Sequence, residues 1–207
     1  MLKRTLGRSL LILMVVTGFG GTINDSSITQ KERKTAVTMM KDTRTEVSSC
    51  VKGLSAEQLS FRAAPDKWSI QECIYHIAAT EKALWSLFES SMKGASTPER
   101  RTEIKITDED FVKRVHDRSS KVKAIEPLQP ANTGYKSLED ALSDFKESRT
   151  EHIKYMKSST EDLRNHMVQM PFGTIDCYQL CLMTAAHSKR HLLQIEEIKA
   201  DPAFPRQ

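Results

Sequence analysis

His187 and His191, four residues apart in the segment AAHSKRHLLQIEEI, are the pair in this chain best placed to do chemistry. On an α-helix, positions i and i+4 lie one above the other, so both imidazoles project from one face and can close on a single ion. That face is also apolar, since Leu180, Thr184, Ile195 and Ile198 fall within the same stripe. Buried imidazoles without partners are costly, and a cation between them satisfies both. The plain alternative is two surface or hydrogen-bonded histidines that happen to fall four apart. His76, in WSIQECIYHIAAT, lies at the edge of the core stripe of an earlier helix. One histidine from that helix and two from the last make a three-nitrogen site, which leaves coordination positions open to water or substrate. Glu72, one turn before His76, can orient it as an outer acceptor, although a helix-capping role already accounts for it.

Other polar residues are candidates around such a centre. His152 falls seven residues after Phe145 on the apolar stripe of the third long helix. It can be a fourth ligand, a general base near the ion or a hydrogen-bonded core histidine. Gln194, one turn beyond His191, can hydrogen-bond a ligand or substrate. Arg149 points inward by its spacing, toward an anionic substrate group or into a salt bridge within the protein. His116 sits on a short charged helix and reads as solvated, and His166 falls in a turn and belongs to no pattern. The sequence contains no G-x-S-x-G, no glycine-rich phosphate loop, no H-E-x-x-H and no C-x-x-C.

The elements that must position these residues are helices. Thr29 with Glu32, and Ser69 with Glu72, are capping boxes, and Ser137 with Asp140 opens another helix. Apolar residues then recur at steps of three and four: Ala36, Met40, Val47 and Val51; Cys73, Ile74, Ile77, Leu84 and Phe88; Ala141, Leu142, Phe145, Ile153 and Met156. The spacing predicts long helices near residues 29–53, 69–93, 137–158 and 175–199. Between the second and third lies a long connection, with a short helix capped at Thr107 and a loop marked by Pro127, Pro130 and Gly134. A short turn is expected at Glu161–His166, and Met170-Pro171-Phe172-Gly173 reads as a stop. No stretch alternates like a strand for more than a few residues. The fold class is all-α, a four-helix bundle.

The 207 residues suffice for one domain with a real core, and 39% hydrophobic with 28% charged residues excludes disordered and multi-span membrane classes. Residues 1–21 have the three-part layout of a signal peptide. Lys3, Arg4 and Arg8 are followed by an apolar run from Leu10 to Val16 and by small residues at Gly18 and Gly20. The run is too short for a stable membrane span, which needs about 20 residues. Export and a mature domain over residues 22–207 are expected, the alternative being a cytoplasmic protein with an apolar extension. Beyond the leader, 28 Lys and Arg face 27 Asp and Glu, so the formal surplus of +4 almost vanishes and gives no footprint for nucleic acid. The four cysteines read as small buried hydrophobes: Cys177 and Cys181 are i, i+4 on one helix, too far apart for an undistorted disulfide.

The segment LSAEQLSFRAAPDKWSIQECIYHI resembles the entry to the second helix of the DinB-like superfamily. MPFGTIDCYQLCLMTAAHSKRHLLQIEEIKADPAFP resembles its last helix, with the H-x-x-x-H pair, the following Gln-Ile and the P-x-F-P tail, and the connection carrying DRSSKVKAIEPLQP also fits. The resemblance covers about residues 29–206. It implies an up-down-down-up four-helix bundle, often a homodimer, with a divalent ion (nickel, zinc, iron or manganese) on His76, His187 and His191. It also implies a small-molecule substrate and no DNA binding. A metal-dependent hydrolase that activates a metal-bound water is the leading expectation. The alternatives are an S-transferase using a low-molecular-weight thiol such as bacillithiol or mycothiol, and a non-catalytic metal-binding or interaction module. Export would weaken the thiol reading, because such thiols are intracellular.

Overall fold

The computed structural model describes residues 28–120 and 122–206, so the signal-like leader lies outside the described residues. Four long helices carry the fold: α1 (Gln30–Ser49), α3 (Ile70–Lys93), α5 (Leu138–Ser158) and α6 (Cys177–Lys199). Shorter helices α2 (Ala56–Ser60) and α4 (Asp108–His116) lie in the connections, with 3-10 turns at Pro98–Glu103, Glu126–Leu128 and Pro130–Asn132. Each long helix starts where a side chain satisfies its free N–H groups. The Thr29 and Ser69 capping boxes form as the sequence predicts, Ser55 with Gln58 adds a third, and Ser137 caps α5. None of the described helices is long and apolar enough to cross a membrane.

Helix α3 packs on both α5 and α6, and α1 packs on the same two, so α1 faces α3 across the bundle and α5 faces α6. The connectivity is up-down-down-up. The long passage from α3 to α5 lets these two neighbours run in parallel, which no short loop allows.

Two features depart from the sequence reading. A short antiparallel hairpin, β1 (Met167–Met170) and β2 (Gly173–Asp176), stands where a stop was expected. Val168 pairs with Ile175, and both side chains join the core. Gly173, at φ +132°, takes a backbone conformation that other residues rarely adopt and closes the turn. Helix α6 consequently begins at Cys177, with Asp176 at the end of β2 as its N-cap, its carboxylate accepting from Gln179 N at 2.7 Å. Arg164, just before the hairpin, pairs with Asp176, Asp108 and Glu32, one carboxylate from the start of each of α6, α4 and α1.

The core falls into two apolar clusters. One gathers Met40, Leu84, Phe88, Met156, Tyr178 and Leu182; the other gathers Val47, Ile74, Ile77, Phe145, Leu192 and Ile195. Between them, at mid-height on all four long helices, lies a polar layer of Thr43, Glu81, Arg149, His152, Thr184 and Ser188, all buried. All four cysteines are free thiols. Burial pushes Cys50 up to about 11 and Cys177 up to about 12, leaving both thiols protonated and unreactive at neutral pH.

Candidate functional site

Beside the polar layer, α3 and α6 bring His76, His187 and His191 together. Nε2 of His187 lies 3.2 Å from Nε2 of His76 and 3.2 Å from Nε2 of His191. One ligating atom from each of the three falls within 4.8 Å of the others. Nitrogens bound tetrahedrally at 2.0–2.1 Å from one ion are about 3.3 Å apart, which is the spacing that His187 keeps to each of the other two. His76 and His191 are buried, and His187 keeps some accessible surface. Trp68, next to the α3 cap, stacks on His191 with ring centroids 5.8 Å apart and leans on His76 at 4.8 Å.

The outer nitrogens fix how the rings present themselves. Nδ1 of His76 lies 2.7 Å from the carbonyl oxygen of Leu128, which can only accept, so Nδ1 carries the proton and Nε2 the lone pair. Nδ1 of His191 stands in the same relation to Gln194 Oε1 at 2.9 Å. Two lone pairs therefore converge on the single Nε2 of His187, which can donate one proton at most. Burial, the largest influence, pushes the pKa of His187 well down and that of His191 to about 3, with neighbouring imidazoles adding to both. Burial also lowers His76, against the opposing Leu128 hydrogen bond. Extra protons are thus not available to bridge the nitrogens, and the donor set fits a divalent cation.

The remaining sequence candidates take other positions. Glu72 serves its cap, accepting from Ser69 N at 2.8 Å, and pairs with Arg62; the outer acceptor for His76 is the Leu128 carbonyl instead. Arg149 has no exposure, and each of its N–H groups has an acceptor inside the bundle. Glu81 takes Nε and Nη2 at 2.7 and 2.6 Å, Thr43 Oγ1 and Met40 O take Nη1, and Thr184 O and Ser188 Oγ take Nη2. It forms the internal salt bridge rather than facing an open cavity. His152 donates from Nδ1 to Glu81 at 2.6 Å and lies flat on Trp85, ring centroids 3.7 Å apart, which is the core-histidine arrangement. Gln194 holds His191. His116, expected in solvent, is half-buried, and its enclosed Nε2 has no hydrogen-bond partner among the described residues; α4 packs on α6. His166 is buried with Nδ1 on Ser91 O.

The residues missed from the sequence are Glu81 and the Leu128 carbonyl. Glu81 left a signal, a carboxylate set on the apolar stripe between Ile77 and Leu84. A backbone carbonyl leaves none.

A helical bundle that aims three imidazole nitrogens from its second and fourth long helices at one point defines a histidine-centred four-helix-bundle protein. Residues 39–195 match the family model of the DinB superfamily, and the chain belongs to that superfamily. It is 27% identical over 165 residues to the uncharacterized protein YuaE of Bacillus subtilis (strain 168), covering 79% of this chain and 96% of YuaE. Among solved structures it is similar to YfiT from Bacillus subtilis, with a TM-score of 0.58 at 13% identity over 84% of this chain and 89% of that one. YfiT is described as a probable metal-dependent hydrolase with an unusual four-helix bundle topology.

Proposed function

We propose that this protein is a metal-dependent enzyme, a hydrolase acting on a small molecule, with His76, His187 and His191 holding one divalent ion. The observation that carries the reading is the convergence of three imidazoles, with His187 Nε2 lying 3.2 Å from the Nε2 of each of the other two, whose outer hydrogen bonds leave their lone pairs inward. The description of YfiT supports the same class. An ion on three imidazoles lowers the pKa of coordinated water to about 7 and polarises a substrate carbonyl or phosphoryl oxygen.

The chain's own residues prepare the site for this. Leu128 O and Gln194 keep the proton on the outer nitrogens of His76 and His191, so neither of these two ligands has to change tautomer as the centre is assembled. Trp68 covers two of the rings and shields them from bulk water. The Arg149–Glu81 pair ties α3 to α6 through Ser188, next in sequence to His187, and holds the two ligand-bearing helices at a fixed spacing.

Elemental analysis of the purified protein tests the metal. The wild type should carry about one equivalent of a divalent ion, and His187→Ala should lose most of it. His116→Ala and His166→Ala should keep it. Equal metal in wild type and His187→Ala would reduce α6 to a packed core helix. A metal-loaded protein inert toward ester, amide and phosphoester substrates would end the hydrolase reading, and activity confined to thiol transfer would replace it with the S-transferase.

A further inference from the structure

We infer that Arg118 is a positioning residue for the three-histidine centre, acting through Gln194 to fix which nitrogen of His191 faces the other two ligands; this rests on the metal reading above. An imidazole can coordinate through Nε2 only if its proton sits on Nδ1. The partner of Nδ1 is the Gln194 side-chain amide, a group with two faces. Its oxygen accepts and its NH2 donates, and a half-turn of the amide exchanges them. With the NH2 turned toward His191, Nδ1 would have to accept, and the proton would move to Nε2 and block the centre.

Arg118 removes that choice. Its Nη1 lies 3.3 Å from Gln194 Oε1, and a guanidinium offers donors only, so the amide oxygen is held on the side that Arg118 and His191 share. The guanidinium is itself fixed by a two-point pair with Glu197, Nε to Oε1 at 2.7 Å and Nη2 to Oε2 at 2.6 Å. Arg118 follows α4 directly, and its neighbours are fastened to α6 by Arg190, which donates to Asp117 O and, at 2.6 Å, to Ser120 O. The order of control is Glu197, Arg118, Gln194, His191. The acceptor for His76, Leu128, also lies between α4 and α5, so that connection holds His76 directly and His191 at one remove, through Gln194.

The test uses the full chain with Arg118→Met, Gln194→Glu and the two combined. Long-range 1H–15N NMR of metal-free protein reads the His191 tautomer, and Co(II) titration reads affinity and the visible spectrum of the centre. Wild type should show a single Nδ1–H tautomer. Arg118→Met should show a mixture and bind Co(II) about ten- to a hundredfold more weakly. Adding Gln194→Glu to Arg118→Met should restore both, because a carboxylate can only accept and needs no arginine to orient it. A merely structural role for Arg118 would lower the unfolding temperature of the double variant without that rescue. An unchanged tautomer in Arg118→Met, or a double variant that is not rescued, would overturn the assignment. A wild type fixed as Nδ1–H that takes up no Co(II) would remove the metal reading alone, since the tautomer comparison decides the role of Arg118 either way.

Discussion

Glu81 and Arg149 are the most consequential residues outside the histidine cluster. A carboxylate with 2% exposure is raised by burial, yet Arg149, first by charge and then by hydrogen bonds, and His152 outweigh this and hold it at about 2. Its ordinary value in the unfolded chain is 4.5, so the unfolded state binds the extra proton first as pH falls. The stability this group contributes is present above about pH 4.5 and is lost as pH drops toward 2. Urea unfolding at pH 7 and pH 3 should therefore show a smaller acid-induced loss for Glu81→Gln than for wild type. Arg149→Met strands the Glu81 carboxylate and should cost about 3–5 kcal/mol, whereas Arg149→Met with Glu81→Leu should recover much of it. Equal destabilisation by the single and double changes would show that Arg149 acts through its other contacts.

At the scale of elements, α3 matters most, because its first turn sets both the cap and the wall of the site. Ser69 accepts from Glu72 N, Glu72 returns to Ser69 N, and Trp68 directly ahead of them lies on His76 and His191. Ser69→Ala should lower stability by about 1 kcal/mol in equilibrium unfolding, the usual effect of losing an N-cap. A neutral result would mean that tertiary packing alone fixes the start of α3. The caps and the helical apolar periods of α1, α3 and α5 were legible in the sequence, since both are written in residues three or four apart. The hairpin was not. Strands of four residues with one buried pair, Val168 and Ile175, are too short to establish an alternation.

For the whole molecule, the bundle divides its labour along its length. Two apolar clusters supply the burial, and the polar layer between them cross-links all four long helices at the level of the histidines. Such a layer gives little net stability but admits only one register of the helices, which a three-point ligand set requires. The leader bears on where this molecule works. We propose that it is a signal peptide, so N-terminal sequencing of protein from its native source should begin between residues 18 and 22. A first residue before position 17 would show that the leader is retained.

The sequence by itself determined the helical class, the starts of α1, α3 and α5, the near-neutral charge beyond the leader and the three histidines worth watching. Each of these depends on composition or on residues within one or two helical turns. Only the tertiary structure decided that the three nitrogens meet, because His76 and His187 are 111 residues apart. It also decided that Leu128, 52 residues on, and not Glu72, one turn away, accepts from His76. Arg149 and His152 had the same inward spacing whether they faced a substrate or each other's partner. Glu81, on a different helix, settled that, and helix periodicity gives the direction of a side chain without naming what the neighbouring helix will put opposite it.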